Sequence, residues 1–269
     1  MSNLKHYRFV PLIALLLVLA CKKNRTSKIE IPEPEPPHVT KTLIPIKFEA
    51  TGLTINLKYK ENTPLLTEIS DAAGAKTLFT YTSDQYLSKI EKYNNGKLFY
   101  VGYYQKKDDE KMISKVVLFN YDDLKNNYTP KGFYTLTYNL LQQLSTIQYY
   151  NNANNLIDTR SQFYTTAKNL SEVDMIDNSG SINVNTYTFD QKKGIASNMD
   201  HAQLFALESE HWFLICSGNN LLSYRNQKSP LENTDFSYEY NGDGYPSKMT
   251  ITKNKNTQQI KITYKSIEP

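Results

Sequence analysis

Apolar and polar residues alternate strictly over several stretches of the chain. Leu53, Ile55, Leu57 and Tyr59 oppose Thr54, Asn56 and Lys58; Tyr134, Leu136 and Tyr138 oppose Thr135 and Thr137. Phe236, Tyr238 and Tyr240 oppose Ser237 and Glu239; Ile260, Ile262 and Tyr264 oppose Lys261, Thr263 and Lys265. Successive side chains of a strand point to opposite faces, so a period of two predicts strands with one buried and one wet face. A longer pattern recurs along the body: an aromatic residue, leucine six positions on, and an apolar residue nine positions on. Tyr81 is followed by Leu87 and Ile90, Tyr138 by Leu144 and Ile147, Tyr164 by Leu170 and Val173, Tyr240 by Pro246 and Met249. Looser copies start at Tyr59 (Leu66, Ile69), at Tyr104 (Val116, after a longer turn) and at Phe189 (Ile195). The polar middles, such as Ser83-Asp84 and Asn241-Gly242-Asp243-Gly244, read as turns.

Each repeat is therefore a β-hairpin, and seven hairpins predict an antiparallel meander of about 14 strands. So wide a sheet must close on itself to bury its apolar face and remove its edges. The expected fold class is all-β: a water-soluble closed barrel with an apolar interior. Residues 199–215 break the alternation. Leu204, Phe205 and Leu207 sit at helical spacing, Asp200 can cap the N-terminus, and Gly218 stands beyond the end. A helical insert that plugs or lids the barrel is expected there.

The front of the chain has a different logic. Lys5 and Arg8 precede an apolar run from Phe9 to Ala20, broken only by Pro11. That run is too short for a spanning helix and suits a secretory signal. It ends Val18-Leu19-Ala20-Cys21, which resembles a lipobox with Cys21 as the acylated residue, although valine stands where leucine is commoner. Acyl chains on Cys21 make the membrane a partner. Lys22 and Lys23 replace the aspartate of an inner-membrane retention signal, and the first acid is Glu30, so the expected address is the periplasmic face of the outer membrane. Pro32, Pro34, Pro36 and Pro37 then alternate with glutamates as an extended spacer. The organisation is a signal at 1–20, a lipid-anchored Pro-rich tether at 21–40 and a barrel at 41–269.

Composition narrows function mostly by exclusion. The net charge of +4 falls to about +2 when Lys5 and Arg8 leave with the signal, and the charges are scattered. A nucleic-acid binder needs a basic face or stripe, so none is expected as a partner. Cys216 is the one cysteine besides Cys21, which rules out a disulfide within the chain once Cys21 is acylated; it lies in the apolar run Trp212–Cys216 and reads as a buried thiol. The 21 tyrosines and the many asparagines suit half-buried strands joined by short turns.

No set of residues points to catalysis. His201 and His211 stand among Asp200, Glu208 and Glu210, but a metal site on a helix favours histidines four apart, and ten positions leave these two some 80° apart; they read as surface histidines. Asp122-Asp123 and Asp108-Asp109-Glu110 read as solvated turns rather than facing carboxylates of a glycosidase, and the 241–244 segment lacks calcium-loop spacing. No P-loop, dinucleotide fingerprint or nucleophile elbow is present, and no cofactor is expected. Trp212 and exposed tyrosines could stack on sugars, which makes Trp212 the candidate binding residue.

The hairpin units resemble YD/Rhs-type repeats. The whole mature chain is similar to a Bacteroidota lipoprotein family of unknown function described as having a porin-like β-barrel fold. The residues carrying the resemblance are the lipobox, the aromatic-turn-Leu-x-x-Ile units, and the run from Tyr187 through Asp190, Lys192 and Lys193 to Gly218-Asn219-Asn220, with Phe236 to Tyr240 and its turn. Gly194-Ile195-Ala196 stands where the family usually shows Asn-Pro-Phe. The resemblance implies a fold and an envelope location, and no activity. The expected function is a non-enzymatic, monomeric, lipid-anchored envelope protein that binds or supports. A glycan- or lipophile-binding lipoprotein is the alternative, ahead of an envelope hydrolase; the partner is a glycan or another envelope protein.

Overall fold

The computed structural model describes residues 42–106, 112–122, 125–208, 211, 215 and 218–267. They form one antiparallel sheet of 16 strands closed into a barrel. The strands are β1 (Thr42–Ala50), β2 (Leu53–Tyr59), β3 (Leu66–Asp71), β4 (Ala75–Tyr81), β5 (Leu87–Asn94) and β6 (Lys97–Lys106). β7 (Ile113–Asp122), β8 (Asn127–Tyr138), β9 (Leu144–Asn151), β10 (Leu156–Tyr164) and β11 (Leu170–Asp177) follow. β12 (Ile182–Phe189), β13 (Leu221–Asn226), β14 (Thr234–Tyr240), β15 (Pro246–Lys253) and β16 (Asn256–Ile267) complete the wall. The seven repeats supply β2 to β15. The two strands beyond the repeat count are β1 and β16, which flank the repeats and pair with each other from Thr42↔Ile267 to Glu49↔Lys261. They close the barrel, so no strand edge is left for another segment to complete, and residues 42–267 are self-sufficient as a fold.

The repeat has a physical reason at each position. In six of the seven hairpins the repeat's aromatic residue faces the apolar residue that opens the next strand across an irregular register: Tyr59↔Leu66, Tyr81↔Leu87, Tyr138↔Leu144, Tyr164↔Leu170, Phe189↔Leu221 and Tyr240↔Pro246; in the β6–β7 hairpin the irregularity lies at Lys106↔Ile113. This irregularity disrupts the ladder locally. The residue after the leucine is Ser or Thr, and its hydroxyl donates to the carbonyl of the residue before the aromatic. The pairs are Thr67 to Lys58 (3.1 Å), Ser88 to Thr80 (3.0 Å), Ser145 to Thr137 (3.2 Å), Ser171 to Phe163 (3.1 Å) and Ser247 to Glu239 (3.2 Å).

The tyrosine ties its hairpin to an earlier strand. Tyr81 Oη donates to the Leu66 carbonyl at 2.6 Å, Tyr164 to Leu144 at 2.8 Å, Tyr138 to Ile113 at 2.9 Å and Tyr59 to Pro45 at 2.8 Å. Tyr238 does the same to Leu221 at 2.7 Å. The turns are equally uniform. Thr82, Asn139, Thr165 and Asn241 each accept, on the side-chain oxygen, the N–H four residues on. The residue three beyond each adopts φ of 59° to 81°: Gln85, Gln142, Lys168 and Gly244. Three side chains thus occupy a conformation that glycine takes without strain.

All repeat turns lie at one rim of the barrel, with the chain's entry at Thr42 and exit at Ile267; this is the turn rim. The short connections at 51–52, 72–74, 95–96, 152–155, 178–181 and 254–255 form the far rim. Inside, Phe48, Ile55, Leu57, Ile69, Phe79, Ile90, Val116, Leu136, Ile147, Phe236, Met249, Ile260 and Ile262 build one core. Outside, the wall from β14 through β16 and β1 to β4 carries charge, with Lys248 paired to Glu239 (2.9 Å), Lys58 to Glu68 (2.9 Å) and Lys47 to Glu49 (2.6 Å).

The helix is shorter than expected. α1 spans Ala202–Glu208 only. His201, not Asp200, stands at its start: the His201 carbonyl accepts the N–H of Leu204 (2.8 Å) and Phe205 (3.2 Å), with φ at 61°. The excursion holding α1 also sits inside a repeat. Phe189 faces Leu221, not Ile195, so residues 190–220 replace the turn of the β12–β13 hairpin.

Ser88→Ala is expected to lower unfolding free energy by about 1 kcal/mol and Tyr81→Phe by about 1–2 kcal/mol, read from urea denaturation midpoints. Burial raises the phenol pKa values of Tyr59, Tyr81, Tyr138 and Tyr164. A group whose folded pKa lies above its unfolded one stabilises fully below the unfolded value and loses that contribution as pH rises past it. Stability is therefore expected to hold up to about pH 10 and to fall above it, by up to about 1.4 kcal/mol per pH unit for each tyrosine. Melting temperature against pH checks this, and tyrosinate absorbance should lag that of the urea-unfolded chain.

Candidate functional site

The excursion at 190–220 is fastened to the turn rim by a polar clamp. Asp190 Oδ1 accepts the N–H of Asn220 at 2.9 Å and of Lys192 at 3.0 Å. Asp190 Oδ2 accepts Asn220 Nδ2 at 3.1 Å and the Tyr240 hydroxyl. Asn220 is fully buried; its Oδ1 accepts the Ile195 N–H at 3.0 Å and its Nδ2 also donates to the Lys193 carbonyl at 2.9 Å. Beside it, Asn169 and Asn219 exchange two bonds, Nδ2 to Oδ1 at 2.8 Å and Asn219 N–H to Asn169 Oδ1 at 3.0 Å. Gly218 is needed here for close approach, since a Cβ would stand 2.6 Å from Asn169 Oδ1. It does not stop the helix, as its place in the sequence suggests. Asn198 Nδ2 bridges the Leu43 carbonyl (2.8 Å) and the Tyr245 hydroxyl (2.7 Å). The residues that carry the family resemblance, Asp190, Gly218, Asn219, Asn220 and Tyr240, thus have a structural task.

From the clamp the excursion enters the lumen. Ile195, Ala196, Met199, Ala202, Leu204 and Phe205 belong to the same core as the inward faces of the strands. The Phe205 ring lies 4.6 Å from Phe79, tilted by 53°. His201 Nε2 is 2.9 Å from the Gln85 carbonyl, and its ring is 5.9 Å from Tyr81. This histidine therefore anchors α1 to a repeat turn.

Toward the far rim the described residues line two cavities. A cavity of about 440 Å³ lies between Ala206, His211 and Ile215 of the excursion and the inner faces of β12 to β15. Its walls are Tyr187, Leu221, Tyr224, Phe236 and Ile251, with the Tyr187 and Tyr224 rings 5.5 Å apart. Thr234 and the Lys253–Glu232 ion pair (2.5 Å) mark its mouth. Burial raises the Tyr187 pKa, with the neighbouring Tyr224 adding to the shift, so at neutral pH the wall presents a neutral phenol. Adjoining strands add polar groups to the lumen: Tyr224 Oη donates to Asn185 Oδ1 at 3.2 Å, and Asn226 Nδ2 donates to Tyr224 Oη at 3.2 Å. The Arg160–Asp158 pair (2.9 Å) shares the inward face of β10. A second cavity of about 430 Å³ lies on the other side of His211, against Ile69, Asp71, Thr77, Lys92 and Asn94. An apolar floor under a few polar groups is the chemistry of a small-molecule pocket.

The candidate residues fare differently. His211 lies inside, between the two cavities, and not on the surface as expected. His201 and His211 do not meet, and among the described residues no three His, Cys, Asp or Glu side chains converge as a metal site. Asp122 pairs with Lys125 (3.4 Å) in a turn. Asn241 Oδ1 caps the 241–245 hairpin turn and binds backbone N–H groups. Trp212, Cys21, Cys216, Glu210, Asp108, Asp109, Glu110 and Asp123 lie outside the described residues. The lining residues Tyr187, Tyr224, Thr234 and Lys253 escaped the sequence reading. Their signal is a polar residue at an inward position, as in Asn185, Thr234 and Lys253, where neighbouring repeats place apolar ones.

No protein-family model matches the chain, and no curated protein sequence matches it. Among solved structures, a porin-like protein from Bacteroides uniformis is similar with a TM-score of 0.52 at 15% identity, over 84% of this chain and 96% of that one. A porin-like protein from Bacteroides vulgatus aligns with a TM-score of 0.39 at 10% identity, over 82% of this chain and 99% of that one. The first similarity shows a shared barrel fold, in keeping with the porin-like fold that the resemblance implies.

Asn220→Ala strands the Ile195 N–H and one face of Asp190 in a buried place. It is expected to cost about 3 kcal/mol of unfolding free energy, measured by urea denaturation, because each orphaned group loses its full solvation.

Proposed function

We propose that this chain is a non-enzymatic, lipid-anchored binding protein of the cell envelope that holds a small amphipathic ligand, a glycan or a lipophile, in the far-rim half of its barrel. The observation that carries the reading is the cavity beside α1: aromatic and aliphatic walls, a charged mouth, and a volume suited to a small ligand. Tyrosine faces such as those of Tyr187 and Tyr224 serve either ligand class, because they stack on sugar rings and pack on acyl chains alike.

The barrel stands in water. A lipid-facing outer wall disfavours a lysine or arginine at the bilayer midplane by about 2–4 kcal/mol, and β14 to β4 carry several charged residues on their outer faces. The sequence supplies the attachment: Cys21 is the acylated residue, the Pro-rich segment is the stalk, and the periplasmic face of the outer membrane is the address. The absence of an open sheet edge favours a monomer.

Two outcomes are expected. Palmitate labelling in cells appears on the wild type and disappears in Cys21→Ser. In thermal melts of residues 41–269 against glycans and lipids, one ligand class stabilises the barrel, by about 2.7 kcal/mol at a hundredfold excess over its Kd. Ala206→Phe fills the cavity and abolishes that shift while the protein still melts cooperatively. A binder whose shift survives Ala206→Phe binds elsewhere, and no shift with any ligand favours a supporting module.

A further inference from the structure

The outer wall of the barrel is two-sided. Opposite the charged wall, the outward faces of β5 to β9 carry a continuous aromatic field. The register places Tyr103 opposite Val117, Val117 opposite Phe133, and Phe133 opposite Tyr150, all on one face. Phe119 meets Tyr103 edge-on at 5.9 Å and Tyr128 edge-on at 6.1 Å; Tyr121 lies 4.8 Å from Tyr128; Phe133 stacks on Tyr150 at 4.8 Å with 8° between planes. Tyr103 and Tyr128 remain 38% and 45% exposed, which is more than strand pairing requires. Among the described residues, lysines border the field. Lys76 and Lys115 lie over the rings of Tyr93 and Phe133, at 4.9 Å and 4.3 Å, while Glu91 is bound to Lys89 at 3.1 Å.

We infer that this wall is a membrane-resting surface, on which the barrel lies at the headgroup level of an anionic bilayer. Large exposed apolar patches mark interaction sites. Tyrosine and phenylalanine with flanking lysines match an interfacial bilayer layer, where the rings sit among headgroups and the ammonium groups meet anionic lipid. The outer wall of a closed barrel is convex, which suits a deformable lipid surface better than a rigid glycan or a second copy. The inference adds an orientation to the anchored binding protein proposed above: a barrel lying on β5 to β9 keeps both rims, and the mouth of the cavity, open to the aqueous side.

The test uses residues 41–269 without acyl chains, so its outcome is independent of Cys21 and of any lumenal ligand. The probe is sedimentation with vesicles of phosphatidylethanolamine and phosphatidylglycerol, against vesicles of phosphatidylcholine alone. Binding to the anionic vesicles is expected, reduced roughly fivefold or more by Tyr103→Ser with Tyr128→Ser, and unchanged by Thr250→Ser with Thr263→Ser on the opposite wall. Lys76→Glu with Lys115→Glu, which leaves every ring in place, is expected to abolish the preference for anionic lipid. Melting curves verify the fold of each variant. Failure to sediment with anionic vesicles, or equal sedimentation of the Tyr103/Tyr128 variant, overturns the inference. So does concentration-dependent dimerisation that the same two substitutions abolish, which assigns the field to a second copy.

Discussion

A closed antiparallel sheet can corner at its rim only where its ladder is interrupted, and every interruption strands polar backbone groups. In this barrel the interruption falls, in six of the seven repeats, where the aromatic faces the residue that opens the next strand. The hydroxyl of the next Ser or Thr returns to the carbonyl on the far strand, and the tyrosine phenol reaches a carbonyl of an earlier strand. Five of the seven hairpins are thereby tied to the strand before them along the turn rim. The phenol bonds are partly buried, where each is worth more than in water and its loss leaves a poorly solvated carbonyl. The Tyr59 to Pro45 bond belongs to the same series and joins the first repeat to β1, the strand that closes the wall. Nearly every strand pairs with its chain neighbour, so the loop-closure entropy of joining distant segments is incurred essentially once, at β1 with β16.

The width of the wall explains the excursion. A 16-strand barrel has a lumen that side chains alone do not fill. Residues 190–220 enter it at the turn of one repeat without disturbing the wall, because Phe189 and Leu221 keep the pairing that a short turn would have preserved. Long insertions at such a point cost little entropy, since loop closure grows only with the logarithm of length. What holds the excursion is the buried clamp of Asp190 and Asn220, and what positions it is Phe205 against Phe79. Its described residues pack the core around Phe205, and His211 and Ile215 line cavities toward the far rim.

The outer wall then has two characters on one sheet. Charged outward residues from β14 to β4 commit that side to water, while the rings from β5 to β9 leave the other side only partly hydrated. Interior and exterior asymmetries are independent of each other. The inner face is set by the need to bury a core, and the outer face is under no such constraint, so its aromatic field calls for a separate cause.

The class of the fold was legible in local patterning. Period-two alternation in Leu53 to Tyr59 and in Ile260 to Tyr264 fixes strands, and the spacing from Tyr81 to Leu87 and Ile90 fixes hairpins, because both are local consequences of how a strand alternates and a turn bends. The non-alternating stretch around Phe205 was likewise legible as something foreign to the wall. The rest is set by contacts through space. Of the two closing strands, β16 shows in the alternation of Ile260 to Tyr264, but no repeat turn joins it to β1, and their pairing across the whole chain appears only in the structure. The true partner of Phe189 is Leu221, thirty-two positions on, because pairing acts through space and the intervening excursion hides the spacing. His211 appears on the surface by sequence and lies in the lumen by structure, since a segment inside a barrel has no wet side for periodicity to reveal. The cavity of Tyr187, Tyr224 and Phe236 comes from three separate strands, and no local pattern links residues that meet only when the sheet closes.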